Sequence, residues 1–144
     1  VTALIATRLD PDELTGLAWL LNTASLPSAD LAETDRVFFR FDADCLVGYG
    51  GLEGEGADRL LRSILVVPDR RGAGIGRTLV AALEQEARGL GVERLHLLTT
   101  TAAVFFRALG YAAADRHAAP SAIAATREFT LLCPASATYL VKAL

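Results

Sequence analysis

The chain passes from an apolar run into a helical run through Val66-Val67-Pro68-Asp69-Arg70-Arg71-Gly72-Ala73-Gly74-Ile75-Gly76-Arg77. Residues 58–67 carry the β-branched and leucine side chains of a central strand, stopped by Pro68. Residues 76–90 then place Leu79, Leu83 and Leu90 near one helical stripe, with Glu84 and Arg88 read as an exposed i,i+4 pair. A strand that turns so directly into an amphipathic helix belongs to a sheet with helices packed on it. The three glycines remove side chains where backbone amides converge, and the helix N-terminus adds unpaired N–H donors and a positive dipole end. The segment therefore reads as a cradle for phosphate, reinforced by Arg71 and Arg77.

Two other phosphate-binding patterns fit poorly. A dinucleotide fold wants G-x-G-x-x-G and an acidic residue about 20 positions on; here the third glycine comes one place early and position 96 is histidine. A P-loop needs Gly-Lys-Ser/Thr, and no lysine follows these glycines. A tight turn without a ligand stays open as the plain alternative.

The rest of the chain supplies a mixed sheet. Residues 2–9 read as an opening strand, and Asp10-Pro11-Asp12-Glu13 starts a helix whose Leu14, Leu17, Ala18 and Leu21 share a face. Residues 22–30 read as a break with room for another helical turn. Residues 36–42 and 45–53 form a hairpin around Asp42-Ala43-Asp44. Residues 94–99 are a strand, 102–109 a short helix, and Gly110-Tyr111 opens a further strand. Residues 120–125 read as one helical turn and 137–143 as the last strand. With no repeat, linker or low-complexity segment, the pattern β-α-(α)-β-β-β-α-β-α-β-β predicts one α/β (α+β) domain over 1–144.

Composition narrows the partners. With 52% hydrophobic residues the chain is too apolar for disorder. The uncharged run at 14–29 is broken by Asn22, Ser25 and Pro27, so no membrane span is expected. A net charge of −3 lacks the basic field that nucleic acid or an anionic membrane selects. Cys45 and Cys133 have no metal-ligand spacing and the N-terminus no signal-peptide pattern, so a reduced, cytoplasmic protein without a metal is expected. His96 and His117 read as isolated. The apolar last strand suggests pairing with a second copy, a homodimer.

Arg71-x-x-Gly74-x-Gly76 after a Val-x-Pro strand end resembles the acetyl-CoA pyrophosphate loop of the GNAT superfamily of N-acetyltransferases. Downstream, Ala102-x-x-Phe105-Phe106-Arg107-Ala108-Leu109-Gly110-Tyr111 resembles that family's Ala-x-x-aromatic-Tyr-x-x-x-Gly-aromatic helix and strand. The resemblance implies the GNAT fold: a central, mostly antiparallel twisted sheet of six to seven strands, helices on both faces, and acetyl-CoA as cosubstrate. Leu61-Arg62-Ser63, Thr126-Arg127-Glu128-Phe129 and Leu132-Cys133-Pro134-x-Ser136-Ala137 resemble the arsenic-resistance N-acetyltransferase branch, which implies a small, anionic, amino-acid-like amine as acceptor.

By that resemblance the strands over 61–67 and 95–99 splay apart to admit pantetheine, and a backbone N–H near Leu65 or Val66 polarises the acetyl carbonyl. Val66, Val67, Arg71, Gly72, Ala73, Gly74, Ile75, Gly76, Arg77 and Thr78 are the expected cofactor contacts, joined by Thr99, Phe105 and Phe106. Thr99 serves equally as an N-cap for the following helix. Phe106 stands where the family commonly has an acidic tyrosine, so the thiolate takes its proton from the product ammonium, from water, or from Tyr49, Tyr111 or Tyr139. That departure keeps a noncatalytic acyl-CoA-binding module open beside the enzyme.

Glu53 is the leading general base, because it ends a strand beside the one expected to carry the thioester. Glu55, Asp58 and Glu128 stand behind it. Arg62 interrupts an apolar strand, and a buried arginine requires a partner. Glu53 on the adjacent strand or an oxyanion of the substrate answers that need, unless the side chain reaches the surface. Arg127 carries the same substrate-binding expectation.

Overall fold

The computed structural model describes residues 3–72, 74–132 and 136–144. Strand β1 (Ile5–Arg8) leads through a helical turn, Pro11–Glu13, into α1 (Leu14–Thr23). Asp10 N–H donates to Glu13 Oε1 at 3.0 Å, which fixes the entry to the helix. The chain then forms β2 (Arg36–Asp42), β3 (Leu46–Glu53), β4 (Asp58–Val66), α2 (Ile75–Gly89) and β5 (Arg94–Thr99). It ends with α3 (Ala103–Ala108), β6 (Ala112–Ala113), α4 (Ser121–Ala124), a π-helical segment Glu128–Leu132, and β7 (Thr138–Ala143).

Seven strands make one mixed sheet in the order β1-β2-β3-β4-β5-β7-β6. Only β4 and β5 pair in parallel, and α2 provides the crossover such a pair requires. On one face Leu79, Val80 and Leu83 of α2 pack with Phe39, Phe41, Val47, Leu95 and Leu97. On the other, Leu17 and Leu21 of α1 pack with Leu31, Phe38 and Leu65. Helices on both faces of a mostly antiparallel sheet match the fold expected from the sequence. No helix among the described residues is long and apolar enough to cross a membrane.

Four local expectations change. No helix follows α1 within 22–30. Leu90 is 44% exposed because it lies past the end of α2. Glu84 is buried rather than paired with Arg88: the Tyr111 hydroxyl donates to its Oε2 at 2.8 Å and Lys142 Nζ lies 3.0 Å from the same oxygen. Arg88 instead donates to Gln85 Oε1 at 3.1 Å. The i,i+4 reading assumed solvent at a position that Tyr111 and Lys142 cover. Finally, β7 is no free edge, since β5 flanks it along its length and β6 pairs with Leu140 and Val141. The premise for a β7-to-β7 homodimer is thereby removed.

Candidate active site

Strands β4 and β5 pair only at Asp58↔Arg94, Arg59↔Leu95 and Leu60↔His96, although β4 continues to Val66 and β5 to Thr99. Past Leu60 the two strands diverge and a cavity of about 470 Å³ opens between them. A bulge shapes its β4 wall: Tyr49 faces Leu65 and Gly51 faces Arg62, so Ser63 and Ile64 share the place opposite Gly50. Ser63 takes a left-handed φ of 59° there.

His96 ties the fork where divergence begins. Its Nε2 is 2.7 Å from Asp58 Oδ1 and its Nδ1 2.7 Å from the Tyr139 hydroxyl. Hydrogen bonds from Arg94, then from His96, outweigh the opposing effect of burial and hold the Asp58 carboxyl down at about 2. An ionised Asp58 accepts from Nε2–H, and Nδ1 faces the Tyr139 hydroxyl. His96 therefore belongs to a three-strand tie, a partnership its sequence neighbours do not signal.

One end of the cavity meets the glycine-rich loop. Val66, Arg71 and Gly76 line it, with Thr99, Phe105 and Phe106 opposite. Gly72 and Gly74 lie on the loop between Arg71 and α2, and Ile75, Gly76, Arg77 and Thr78 form the first turn of α2; Val67 precedes the loop with its N–H bonded to Val47 O at 2.9 Å. Ala73 lies outside the described residues, as do Cys133 and Pro134. Gly74 caps α2 with φ 73°, a conformation open to glycine. A Cβ at Gly76 would stand 3.3 Å from the Phe105 ring, so a side chain there would crowd that ring. Arg71 Nε donates to Val66 O at 3.0 Å, and Thr99 Oγ1 accepts from Ala102 N–H at 2.9 Å. The amides at the α2 N-terminus, the arginines and an apolar slot between strands fit a pyrophosphate bearing a pantetheine arm.

The opposite end is charged. Arg62 and Ser63 line it, as do residues 24–27 and Glu128. Arg62 Nη2 donates to Asp30 Oδ1 at 2.7 Å and Nη1 to Glu53 Oε1 at 2.8 Å, while Nε lies 2.9 Å from Glu128 Oε2. Arg36 adds a second guanidinium, 3.0 Å from Asp30 and 3.3 Å from Glu53. Burial works against the Arg62 charge, but the bonds and charges of Asp30, Glu128 and Glu53 outweigh it and raise its pKa. Burial likewise opposes ionisation of Asp30, and the two arginines overcome it, holding that carboxyl below its usual value.

This arrangement departs from the expected roles. Glu53 is not on the cavity wall: both carboxylate oxygens are held by Arg62 and Arg36 behind it. Arg62 is on the wall, yet its nitrogens already engage three carboxylates. Arg127 lies off the wall and pairs with Glu33. Asp30, fully buried between Arg36 and Arg62, carries no sequence signal, because it lies in an irregular segment 32 residues from Arg62. None of Tyr49, Tyr111 and Tyr139 lines the cavity among the described residues. No group of three His, Cys, Asp or Glu side chains is arranged for a metal among those residues.

The sequence profile of the family described as Acetyltransferase (GNAT) domain matches residues 33–113, more than half the chain. The chain belongs to the GNAT acetyltransferase family. No curated protein matches this acetyltransferase by sequence. Among solved structures it is similar to N-acetylglutamate synthase from Neisseria gonorrhoeae complexed with coenzyme A and N-acetyl-glutamate, with a TM-score of 0.79 and 21% identity. That similarity covers 100% of this chain and 36% of the synthase, so the chain spans about a third of that relative's length. The Mycobacterium tuberculosis protein Rv2747, in complex with CoA, aligns at TM-score 0.71 and 19% identity over 97% of this chain and 99% of its own. An acetyltransferase of the GNAT family from Staphylococcus aureus Mu50 aligns at 0.75 and 14% over 99% of both chains. At these identities the likeness is one of fold.

Proposed function

We propose that this chain, as a single domain over 1–144, transfers an acetyl group from acetyl-CoA to the primary amine of a small acceptor by direct attack. The observation that carries the reading is the fork between β4 and β5, which opens a slot from the glycine-rich loop at one end to the charged wall at the other. Bound there, acetyl-CoA supplies an acetyl thioester. Loop amides with Arg71 and Arg77 take its pyrophosphate, Phe105 and Phe106 exclude water, and a backbone N–H at Leu65 or Val66 polarises the acetyl oxygen. Since no tyrosine lines the slot among the described residues, the sulfur takes its proton from the reacting amine or from water.

The resemblance to the arsenic-resistance branch favours an anionic, amino-acid-like acceptor. The surroundings of Arg62 and Arg127 give that finer reading no support, because both guanidiniums are already matched with carboxylates of the chain. The test is release of free thiol from acetyl-CoA over a panel of primary amines, with coenzyme A affinity measured by calorimetry. Turnover establishes the enzyme. Tight binding of coenzyme A with no turnover of any amine points to the noncatalytic module instead.

A further inference from the structure

Backbone strain gathers at one end of the slot. Ser25, Asp35 and Ser63 are the non-glycine residues with a left-handed φ among the described residues, and two of them, Ser25 at 58° and Ser63 at 59°, line the charged end of the cavity. Glycine takes that conformation freely and serine only at a cost, and such outliers cluster where a structure holds a ligand. Ser63 is the buried member of the two, 9% exposed. Arg62 Nε donates to its Oγ at 3.2 Å. A hydroxyl that accepts from a guanidinium turns its own hydrogen elsewhere, and the cation polarises the O–H bond into a stronger donor. Arg62 does not depend on this contact, since its Nε also lies 2.9 Å from Glu128 Oε2 and its Nη atoms are held by Asp30 and Glu53.

Resting on the acetyl-transfer reading above, we propose that Ser63 is a specificity-determining residue: its Oγ–H donates to an oxygen on the carbon next to the one bearing the acceptor's amine. The enzyme then prefers amines with a vicinal hydroxyl or carbonyl oxygen. In that reading a backbone N–H at Leu65 or Val66 meets the acetyl oxygen, and Leu65 lies two residues along β4 from Ser63, at most about 7 Å in a strand. A hydrogen bond followed by an O–C–C–N unit covers that distance and brings the nitrogen to the acetyl carbon. A donor polarised by a cation selects a lone pair and offers a methyl group nothing. An amine without the oxygen fills the slot while leaving the hydroxyl desolvated and unpaired, which is the basis of discrimination against it.

Matched acceptors test this. L-leucinol and L-leucinamide each carry a vicinal oxygen that the deoxy analogue of L-leucinol lacks, so kcat/KM for at least one of them is expected to exceed that for the deoxy amine about tenfold or more. The larger preference tells which oxygen the site takes; a preference for neither, or turnover confined to amines without such an oxygen, overturns the proposal. Ser63→Gly removes the hydroxyl and suits the left-handed φ. It is expected to bring the ratio close to one, through KM rather than kcat, with the melting temperature and coenzyme A affinity kept. Ser63→Ala, which retains the Cβ, is expected to do the same and decides if Ser63→Gly does not fold. A uniform loss with every amine at an unchanged ratio would show that Ser63 serves Arg62 alone and would overturn the proposal. An activity-free readout accompanies these: with coenzyme A bound, the preferred oxygen-bearing amine raises the melting temperature of the parent above that seen with the deoxy amine, and the difference disappears in Ser63→Gly. Should coenzyme A bind while no amine turns over, acetyl transfer fails, and equal melting shifts with the two amines then overturn the hydroxyl contact separately.

Discussion

Arg62 Nη1 donates to Glu53 Oε1 at 2.8 Å across the β3–β4 pair, with neither side chain more than 6% exposed. The contact turns two residues of apparent catalytic interest into parts of one scaffold. Asp30 and Arg36 complete it from a loop and from β2, so the charged end of the cleft is built into the fold.

Removing the guanidinium leaves buried carboxylates without their counter-charge. Arg62→Met is expected to lower stability by about 3–5 kcal/mol, the usual cost of breaking one side of a buried ion pair. Urea unfolding monitored by circular dichroism reads this directly. A loss under 1 kcal/mol would show that the cluster is not the buried framework described.

The loop makes a different demand. Valine at Gly74 would sit at φ 73°, where a β-branched residue is strained, which would distort the turn proposed to cradle the pyrophosphate. Gly74→Val is expected to weaken coenzyme A binding tenfold or more by calorimetry, with the far-ultraviolet spectrum retained. Unchanged affinity in the folded variant would rule out the cradle.

Tyr111 separates structure from catalysis. Burial, then the adjacent Glu84 charge and hydrogen bond, push its hydroxyl well above the usual phenol value, so it does not donate protons to the leaving sulfur. Tyr111→Phe is expected to keep kcat within about threefold and to cost about 1.5–3 kcal/mol of stability, a hydrogen bond to a charged group. A large fall in kcat at unchanged melting temperature would assign Tyr111 to the chemistry.

Acid stability reports on the His96 tie. Asp58 is held at about 2 in the folded chain and is near 3.9 when unfolded, so its contribution is complete above about pH 5 and fades as pH falls towards 2. Between pH 5 and 2 the parent should lose more melting temperature than Asp58→Asn, which has no such proton to gain. Parallel curves would show that Asp58 contributes nothing through its charge.

The sequence by itself determined the fold class and the local shape of the glycine-rich turn. Strand periodicity, Pro68 and Pro11 as punctuation, and glycines where amides converge are all local, and short-range sterics and hydrogen bonding decide them whatever the distant chain does. Even Phe106, set against a family motif, announced the missing phenol. The acceptor end was legible only as an anomaly, an arginine in an apolar strand. Which groups answered that charge depended on Asp30, Glu53 and Glu128 arriving from three separate segments. Glu84 follows the same rule, since Tyr111, just before β6, and Lys142 of β7 reach it and displace water from that face of α2. A buried charge constrains how many partners it must have and of what sign, while only the packing of remote elements selects which residues they are.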